Sequence, residues 1–448
     1  MRIDKLIIHN FKKFSEYSLE LHPKFTLLIG DNGTGKTSLL DALAIAAGVW
    51  LVNPPDSTLS NSKRNILPNE IRLKPIKHAG ITRFFECKPV IIQAIGMIHE
   101  DYSYYNHWCR QIKINGSRTS NTEAKRVIDS ISILFKRDQF GEMIWFPVIG
   151  YYGAGRTWLP SNVSRKTAKL EQGINRRWEA FYDCFEERIR LADLQTWFQK
   201  EAIAALQRSG KMRPSYDVVK WAILRCIPGA DDLWFDGDRA EIVISLEHQP
   251  IPFSNLSAGQ KMMVALIADI AIKVVNQNTK FLPEVIDPNP EIIPPILQQT
   301  PGLVLIDEID VHLHPKWQRR IVNDLKTTFP SIQFVCTTHS PQVIGQIEPE
   351  CLRILYEDNT GKICTITPKQ GLGMDSSWIL QNLMGASARD IKIEQDLEQI
   401  FDTINDENYS QARELIQTLK QKVGDFPELQ EATSFLDRLE LLKDYETD

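Results

Sequence analysis

The stretch Gly30-Asp31-Asn32-Gly33-Thr34-Gly35-Lys36-Thr37 constrains this chain more than any other, because it fits the pattern G-x-x-x-x-G-K-[ST]. It lies between the apolar run Phe25-Thr26-Leu27-Leu28-Ile29 and a helical pattern from Lys36 to about Val49, with Leu39, Leu40, Leu43 and Ala46 on one stripe. An uninterrupted apolar run suits a strand buried on both faces, as in a parallel sheet covered by helices. Glycines let the backbone wrap tightly, so that successive N–H groups point inward at phosphate oxygens. The start of the following helix adds the positive end of its dipole. The pattern therefore predicts a nucleotide-phosphate cradle built from Gly30, Asn32, Gly33, Gly35, Lys36, Thr37 and Ser38. Lys36 is expected to reach the β- and γ-phosphates of ATP, and Thr37 to offer its hydroxyl to Mg²⁺. A glycine-rich turn matching by chance fits the flanking strand and helix poorly.

Three further stretches bear on the same chemistry. Leu303-Val304-Leu305-Ile306-Asp307-Glu308 is four aliphatics ending in two carboxylates, at the strand end where open parallel sheets bind ligands. Asp307 is suited to hold Mg²⁺ and Glu308 to polarise the water that attacks a γ-phosphate, although a solvated acidic turn is the commoner meaning of such a pair alone. Ser254-Asn255-Leu256-Ser257-Ala258-Gly259-Gln260-Lys261 precedes an apolar helical pattern. A Ser and a Gly at a helix N-terminus make a second anion cradle, or simply a helix cap. Thr337-Thr338-His339-Ser340-Pro341 follows another apolar run, Ile332 to Thr337.

Composition narrows the setting. With 448 residues, 43% hydrophobic and 24% charged, the chain has ample core material, which argues against disorder and against a disulfide scaffold. No apolar run approaches the roughly 18–20 residues a membrane helix needs, and MRIDKLIIHNFKKF lacks a signal-peptide core. Seven cysteines without a CxxC pair predict reduced thiols and a cytoplasmic protein. The net charge of −5 is uneven: Asp390 to Asp448 holds 16 acidic and 6 basic residues, so the rest of the chain is mildly basic. Nucleic-acid contact is thus open to the body and disfavoured for the tail. Residues 173–207 read as long amphipathic helices. The six prolines from Pro283 to Pro301 predict an irregular insertion, and Trp317 to Phe329 reads as a helix. Leu397, Ile400 and Ile404, then Leu415, Ile416 and Leu419, then Phe435, Leu436 and Leu439, mark three amphipathic helices in the tail.

In order, the phosphate loop, the Ser257 loop, the acidic strand and His339 resemble the ABC/SMC-type ATPases of the RecF- and OLD-like branch. Ile7-Ile8-His9-Asn10-Phe11-Lys12-Lys13-Phe14 is similar to that branch's first strand pair. Asp310 to Pro315 and Pro147 to Arg156 resemble AAA-type ATPases of bacterial defence loci. The resemblance implies an α/β fold, a P-loop ABC-type ATPase head with a short helical insertion and a C-terminal helical tail. The expected divisions are 1–159 and 231–375 for the ATPase lobes, 160–230 for the insertion and 376–448 for the tail. It implies that Glu308 and His339 are catalytic, His339 bonding the γ-phosphate, and that Asp307 and Thr37 hold Mg²⁺. Ser257, Gly259 and Gln260 would be the signature, which in that family completes the site of a partner protomer; its usual Leu-Ser-Gly-Gly-Gln has Ala258 in place of the first glycine. The Asp310 to Pro315 loop would line the dimer interface, a reading preferred to a metal site of His312, His314 and His339. The family's Q-loop glutamine has no clear counterpart, and Arg156 is expected to meet a phosphate or the interface.

The stretch between Thr37 and Leu256 cannot hold a long coiled-coil arm, and nothing after His339 resembles a nuclease module. Length, insertion and the tail stretch Ser376 to Arg389 are most similar to the ATPase subunit of Septu-type anti-phage systems, some of which accompany retrons. That implies a homodimer or higher homo-oligomer, an HNH nuclease subunit as partner, and in retron settings a reverse transcriptase with its DNA. The alternative is a RecF-like repair ATPase that binds duplex DNA directly through Lys63, Arg64, Arg72, Lys74 and Lys77, or through Arg165, Lys166, Lys169, Arg176 and Arg177. A structural ATP binder without turnover is a third reading, against which Glu308 speaks.

Overall fold

The apolar run before the phosphate loop forms the strand Phe25–Gly30, third in a six-stranded sheet. The computed structural model describes residues 1–447 apart from 57–58, 60–61, 79–80, 103–106, 157–175 and 288. Across the sheet the strands are Ile363–Ile366, Leu352–Glu357, Phe25–Gly30, Ile332–Thr337, Gly302–Ile306 and Val148–Tyr152. All neighbours are parallel except the edge strand Ile363–Ile366. Every residue of Gly302–Ile306, Ile332–Thr337 and Val148–Tyr152 is buried, so these strands carry no polar alternation. The register sets Ile306 level with Cys336 and with Tyr152. Asp307, the Thr337–His339 turn and the Gly153–Arg156 turn therefore leave the sheet side by side, at its carboxyl edge. The α/β class and the helical tail are as predicted.

A second, antiparallel sheet has the order Phe14–Glu20, Arg2–Phe11, Val90–Met97, His107–Ile112. It is tied to the phosphate-loop helix Lys36–Ala47 by polar contacts. Asp41 on that helix is buried and pairs with Lys12 and with Arg64 at 3.3 Å, and Glu70 pairs with the same two cations. The fully buried Arg110 donates to the carbonyl oxygens of Ile45 (2.6 Å) and Arg64 (2.5 Å) and to the side-chain oxygens of Asn65 (2.6 Å) and Asn121 (2.9 Å). Burial lowers its pKa to about 10. Arg64 is thus part of the scaffold beneath the loop, which removes it from the basic surface expected to meet DNA.

Residues 176–207 depart from the predicted long helices, and 173–175 lie outside the described residues. Arg176–Phe181 is a short 3-10 segment and a regular helix forms only over Leu191–Leu206. Between them the chain spends its carbonyls on the edge of the sheet: Tyr151 N–H donates to Cys184 O (2.8 Å) and Gly153 N–H to Glu187 O (2.9 Å). Arg177 is likewise interior. It donates to Asp138 at 2.6 Å and lies 5.3 Å and 5.2 Å from the Phe146 and Trp178 ring centres. Its companions Arg165, Lys166 and Lys169 lie outside the described residues. The helix Pro214–Cys226 packs on Ala258–Gln277 and Ile321–Thr328. The predicted helix around Trp317 to Phe329 is split into Pro315–Gln318 and Ile321–Thr328. The proline-rich insertion keeps one five-residue helix, Pro295–Gln299. No described helix is long and apolar enough to cross a membrane, and none of the seven cysteines is in a disulfide.

The chain divides into two compact units, Met1–Met374 and Asp375–Asp448. The second contains Ser376–Asn382, Ile391–Asn405, Tyr409–Val423 and Pro427–Thr447. Asp390 caps its helix by accepting from Lys392 N–H at 3.0 Å, and Gly424 ends the next with φ +92°. Leu397, Ile400, Ile404, Ile416, Leu419 and Leu436 form its core with Ala412, Leu429 and Ala432. Phe435, expected inside, is 40% exposed, because the inward stripe of the last helix runs through Leu429, Ala432 and Leu436. Arg413 pairs with Asp437 and Glu440, and Lys420 and Lys422 pair with Asp425 and Asp396. A self-contained core predicts that a chain ending at Met374 keeps a cooperative thermal transition, and that residues 375–448 alone remain helical by circular dichroism. Loss of either would show that the units depend on each other.

Candidate nucleotide-phosphate site

The loop begins where the chain passes closest to its neighbour. Gly30 has φ +145°, and a Cβ there would lie 2.3 Å from the carbonyl oxygen of Leu355, so this position has room for glycine alone. Gly35, with φ +99°, precedes the helix Lys36–Ala47 without a side-chain cap, which leaves the first-turn N–H groups for an anion. Lys36 is buried and its Nζ donates to Gly30 O (2.7 Å) and Asp31 O (3.0 Å). Burial pushes its pKa down, against the raising pull of Asp307, Asp31 and Glu308.

Asp307 is the point where three elements meet. Thr37 Oγ1 donates to its Oδ2 at 2.8 Å, and Thr337 Oγ1 donates to its Oδ1 at 2.6 Å. Thr337 Oγ1 in turn accepts from Glu308 N–H at 2.7 Å. One cavity, of about 320 Å³, is lined by Asn32, Gly33, Gly35, Lys36, Thr37 and Ser38, by Asp307 and Glu308, and by His339. These are predicted residues, brought together from three separate stretches of sequence. Lys12, Lys13 and Thr337 complete the lining and were not predicted. Lys13 Nζ donates to Gly33 O at 2.5 Å and pairs with Glu357 at 3.2 Å, so it steadies the loop from the turn after the first strand. The only sequence signal for the two lysines is the basic pair after Phe11, and Thr337 gives none beyond ending a strand.

Ser257, Gly259 and Gln260 are not among the residues lining this cavity. Ser257 caps the helix Ala258–Gln277: its Oγ accepts from Gln260 N–H at 3.3 Å while Gln260 Oε1 accepts from Ser257 N–H at 2.9 Å. A Cβ on Gly259 would lie 2.5 Å from His312 O, so the start of this helix rests directly on the loop after the acidic strand. In that loop His314 caps a short helix by accepting from Lys316 N–H at 3.3 Å. Among the described residues no three of His, Cys, Asp and Glu gather as a metal site would require.

Arg156 corrects an expectation. It is 3% exposed and does not line the cavity. Its guanidinium donates to the main-chain oxygens of Gly153 (3.1 Å), Asp307 (2.6 Å) and Glu308 (2.9 Å), so it meets the backbone of the acidic pair instead of the phosphate cavity.

The Thr337 hydroxyl is expected to carry measurable stability. Thr337→Val leaves the buried Asp307 Oδ1 and Glu308 N–H each without that partner, at a cost of about 1–3 kcal/mol. Urea unfolding reads this, with Thr337→Ser recovering most of the loss; a valine variant as stable as the parent would refute it.

Residues 2–362 match the RecF/RecN/SMC N terminal domain. A retron Ec83 probable ATPase of Escherichia coli is 26% identical over 497 residues, which cover 95% of this chain and 84% of that protein. The Septu protein PtuA of Bacillus mycoides (strain KBAB4) is 26% identical over 376 residues, 82% of this chain but 42% of that protein's length. An SMC head domain from Thermotoga maritima aligns at 15% identity with a TM-score of 0.42, over 83% of this chain and 100% of that one. Similar to a retron probable ATPase and a Septu protein, and with the family match spanning most of its length, the chain belongs to the RecF/RecN/SMC N-terminal-domain family.

Proposed function

We propose that this chain is an ABC/SMC-like ATPase that closes as an ATP-bound homodimer and controls an associated nuclease in bacterial anti-phage defence. The observation that carries the reading is the hydrogen-bonded junction Thr37–Asp307–Thr337, with Lys36, Glu308 and His339 on the same cavity. In this reading the loop N–H groups and Lys36 hold the phosphates, Glu308 takes the proton of the attacking water, and His339 bonds the γ-phosphate. The Thr37 hydroxyl and the Asp307 carboxylate are hard oxygen donors, the set that suits Mg²⁺. When bound, the ion supplies charge neutralisation to the phosphate oxygens. That Ser257, Gly259 and Gln260 lie outside the cavity lining supports their acting on the nucleotide of a second protomer.

The retron and Septu relatives support a defence setting. The partner proposed from the sequence's resemblance to Septu-type ATPase subunits is an HNH nuclease subunit, joined in a retron setting by a reverse transcriptase and its DNA. Direct duplex binding has less support, since Arg64 and Arg177 serve the interior; Lys74 and Lys77 remain exposed on the hairpin Leu73–His78 and Ile81–Glu86. Glu308→Gln should lower turnover at least about 100-fold and leave an ATP-dependent dimer on size-exclusion chromatography. Turnover at the parental rate would exclude Glu308 as the base. Affinity purification of the tagged chain from its native operon should recover a small HNH protein. Recovery of the chain alone with duplex DNA would favour the RecF-like alternative.

A further inference from the structure

We propose that Arg156 is a positioning residue for Glu308: its guanidinium clamps the main chain of Asp307 and Glu308 so that the Glu308 carboxylate stays on the cavity wall. The inference rests on the reading of Glu308 as the general base.

The first observation is the backbone of Glu308, which has φ +50°. L side chains avoid this left-handed region because Cβ crowds the carbonyl oxygen, so the surroundings must hold the residue there. The second is where the main-chain polar groups of the pair go. Asp307 N–H donates to Tyr152 O at 2.8 Å and Glu308 N–H to Thr337 Oγ1 at 2.7 Å. Asp307 O accepts from Arg156 Nη1 at 2.6 Å, and Glu308 O accepts from Arg156 Nη2 at 2.9 Å and from Val311 N–H at 3.1 Å. Two adjacent carbonyl groups are thus gripped by the two prongs of one side chain. A rigid planar fork fixes the angle between the groups it bridges, which a single ammonium does not. The third is the anchorage of the clamp itself. Arg156 is buried, and both Nη1 and its own N–H donate to Gly153 O, at 3.1 Å and 3.2 Å. Gly153 follows the edge strand Val148–Tyr152, which pairs with the strand ending at Ile306. The clamp therefore fixes the acidic pair relative to the sheet, and Arg156 itself is not among the residues that line the nucleotide cavity.

The test compares the full-length parent with Arg156→Met, Arg156→Lys, Glu308→Gln and the Arg156→Met/Glu308→Gln double variant. Steady-state kcat and KM for ATP, and equilibrium binding of a fluorescent ATP analogue, are read for each. A misplaced base costs turnover and not affinity, so Arg156→Met should lower kcat about 10- to 100-fold, with nucleotide Kd within about twofold of the parent. Arg156→Lys, which keeps the charge but not the fork, should fall between the two. On the Glu308→Gln background Arg156→Met should cause no further loss of kcat, since there is no base left to position. An affinity loss matching the kcat loss would make Arg156 a phosphate contact and overturn the clamp. An unchanged kcat, or an equal loss on the Glu308→Gln background, would overturn it as well. If Arg156→Met does not fold, as judged by its thermal transition, Arg156→Lys alone and with Glu308→Gln decides by the same readouts. Parental turnover in Glu308→Gln would instead overturn the base assignment, whatever the arginine variants do.

Discussion

The Asp307 carboxylate ties the site together. It is 6% exposed and accepts one hydroxyl from the phosphate-loop helix, Thr37, and one from the neighbouring strand, Thr337. A buried carboxylate without such donors would carry a heavy desolvation cost, so these hydroxyls are held where they are as firmly as the charge is. Through them one residue fixes the distance between the loop that would cradle phosphate and the two strands that carry Glu308 and His339. Because Thr337 also accepts from Glu308 N–H, the same contact reaches the next residue in the chain.

Around that junction, buried and half-buried polar groups also hold the shape of the site. Asp41, Glu70, Lys12 and Arg64 form a paired cluster under the phosphate-loop helix, and Arg110 stitches the end of that helix to the segment containing Arg64 and Asn65. Arg156 does the same for the acidic pair. In a low-dielectric interior each such hydrogen bond is strengthened and a member left unpaired is costly, so these contacts hold the surrounding backbone in place. The cavity thus owes part of its geometry to Arg64, Arg110 and Arg156, cations that do not line it.

This shell is also where the sequence misleads. Arg64 and Arg177 stand in basic stretches and look like surface charge, yet Arg64 pairs with Asp41 and Glu70, and Arg177 bonds Asp138 beside two aromatic rings. Asp41 lies 23 positions from Arg64 and Asp138 lies 39 positions from Arg177, and a linear pattern carries no sign of either pairing. Residues 182 to 190 have helical composition but lie along a sheet edge, because tertiary hydrogen bonds to Tyr151 and Gly153 outweigh a weak local preference. Thr337, Lys12 and Lys13 reach the cavity through strand register and a turn, neither of which the residues encode locally.

What the sequence determined by itself was whatever short-range chemistry requires. A tight glycine turn between an apolar run and a helix, an aliphatic strand ending in Asp307 and Glu308, and the apolar stripes of the tail are each specified within a dozen residues, since backbone conformation and burial pattern act at that range. What only the tertiary structure decided was which of these stretches share a wall. The parallel register that sets Ile306 level with Cys336 puts Asp307 beside Thr337, and the pairing with Val148–Tyr152 brings Arg156 to the main chain of Asp307 and Glu308. Those contacts join residues some 30 to 150 positions apart, and their energy exists only once the sheet has formed.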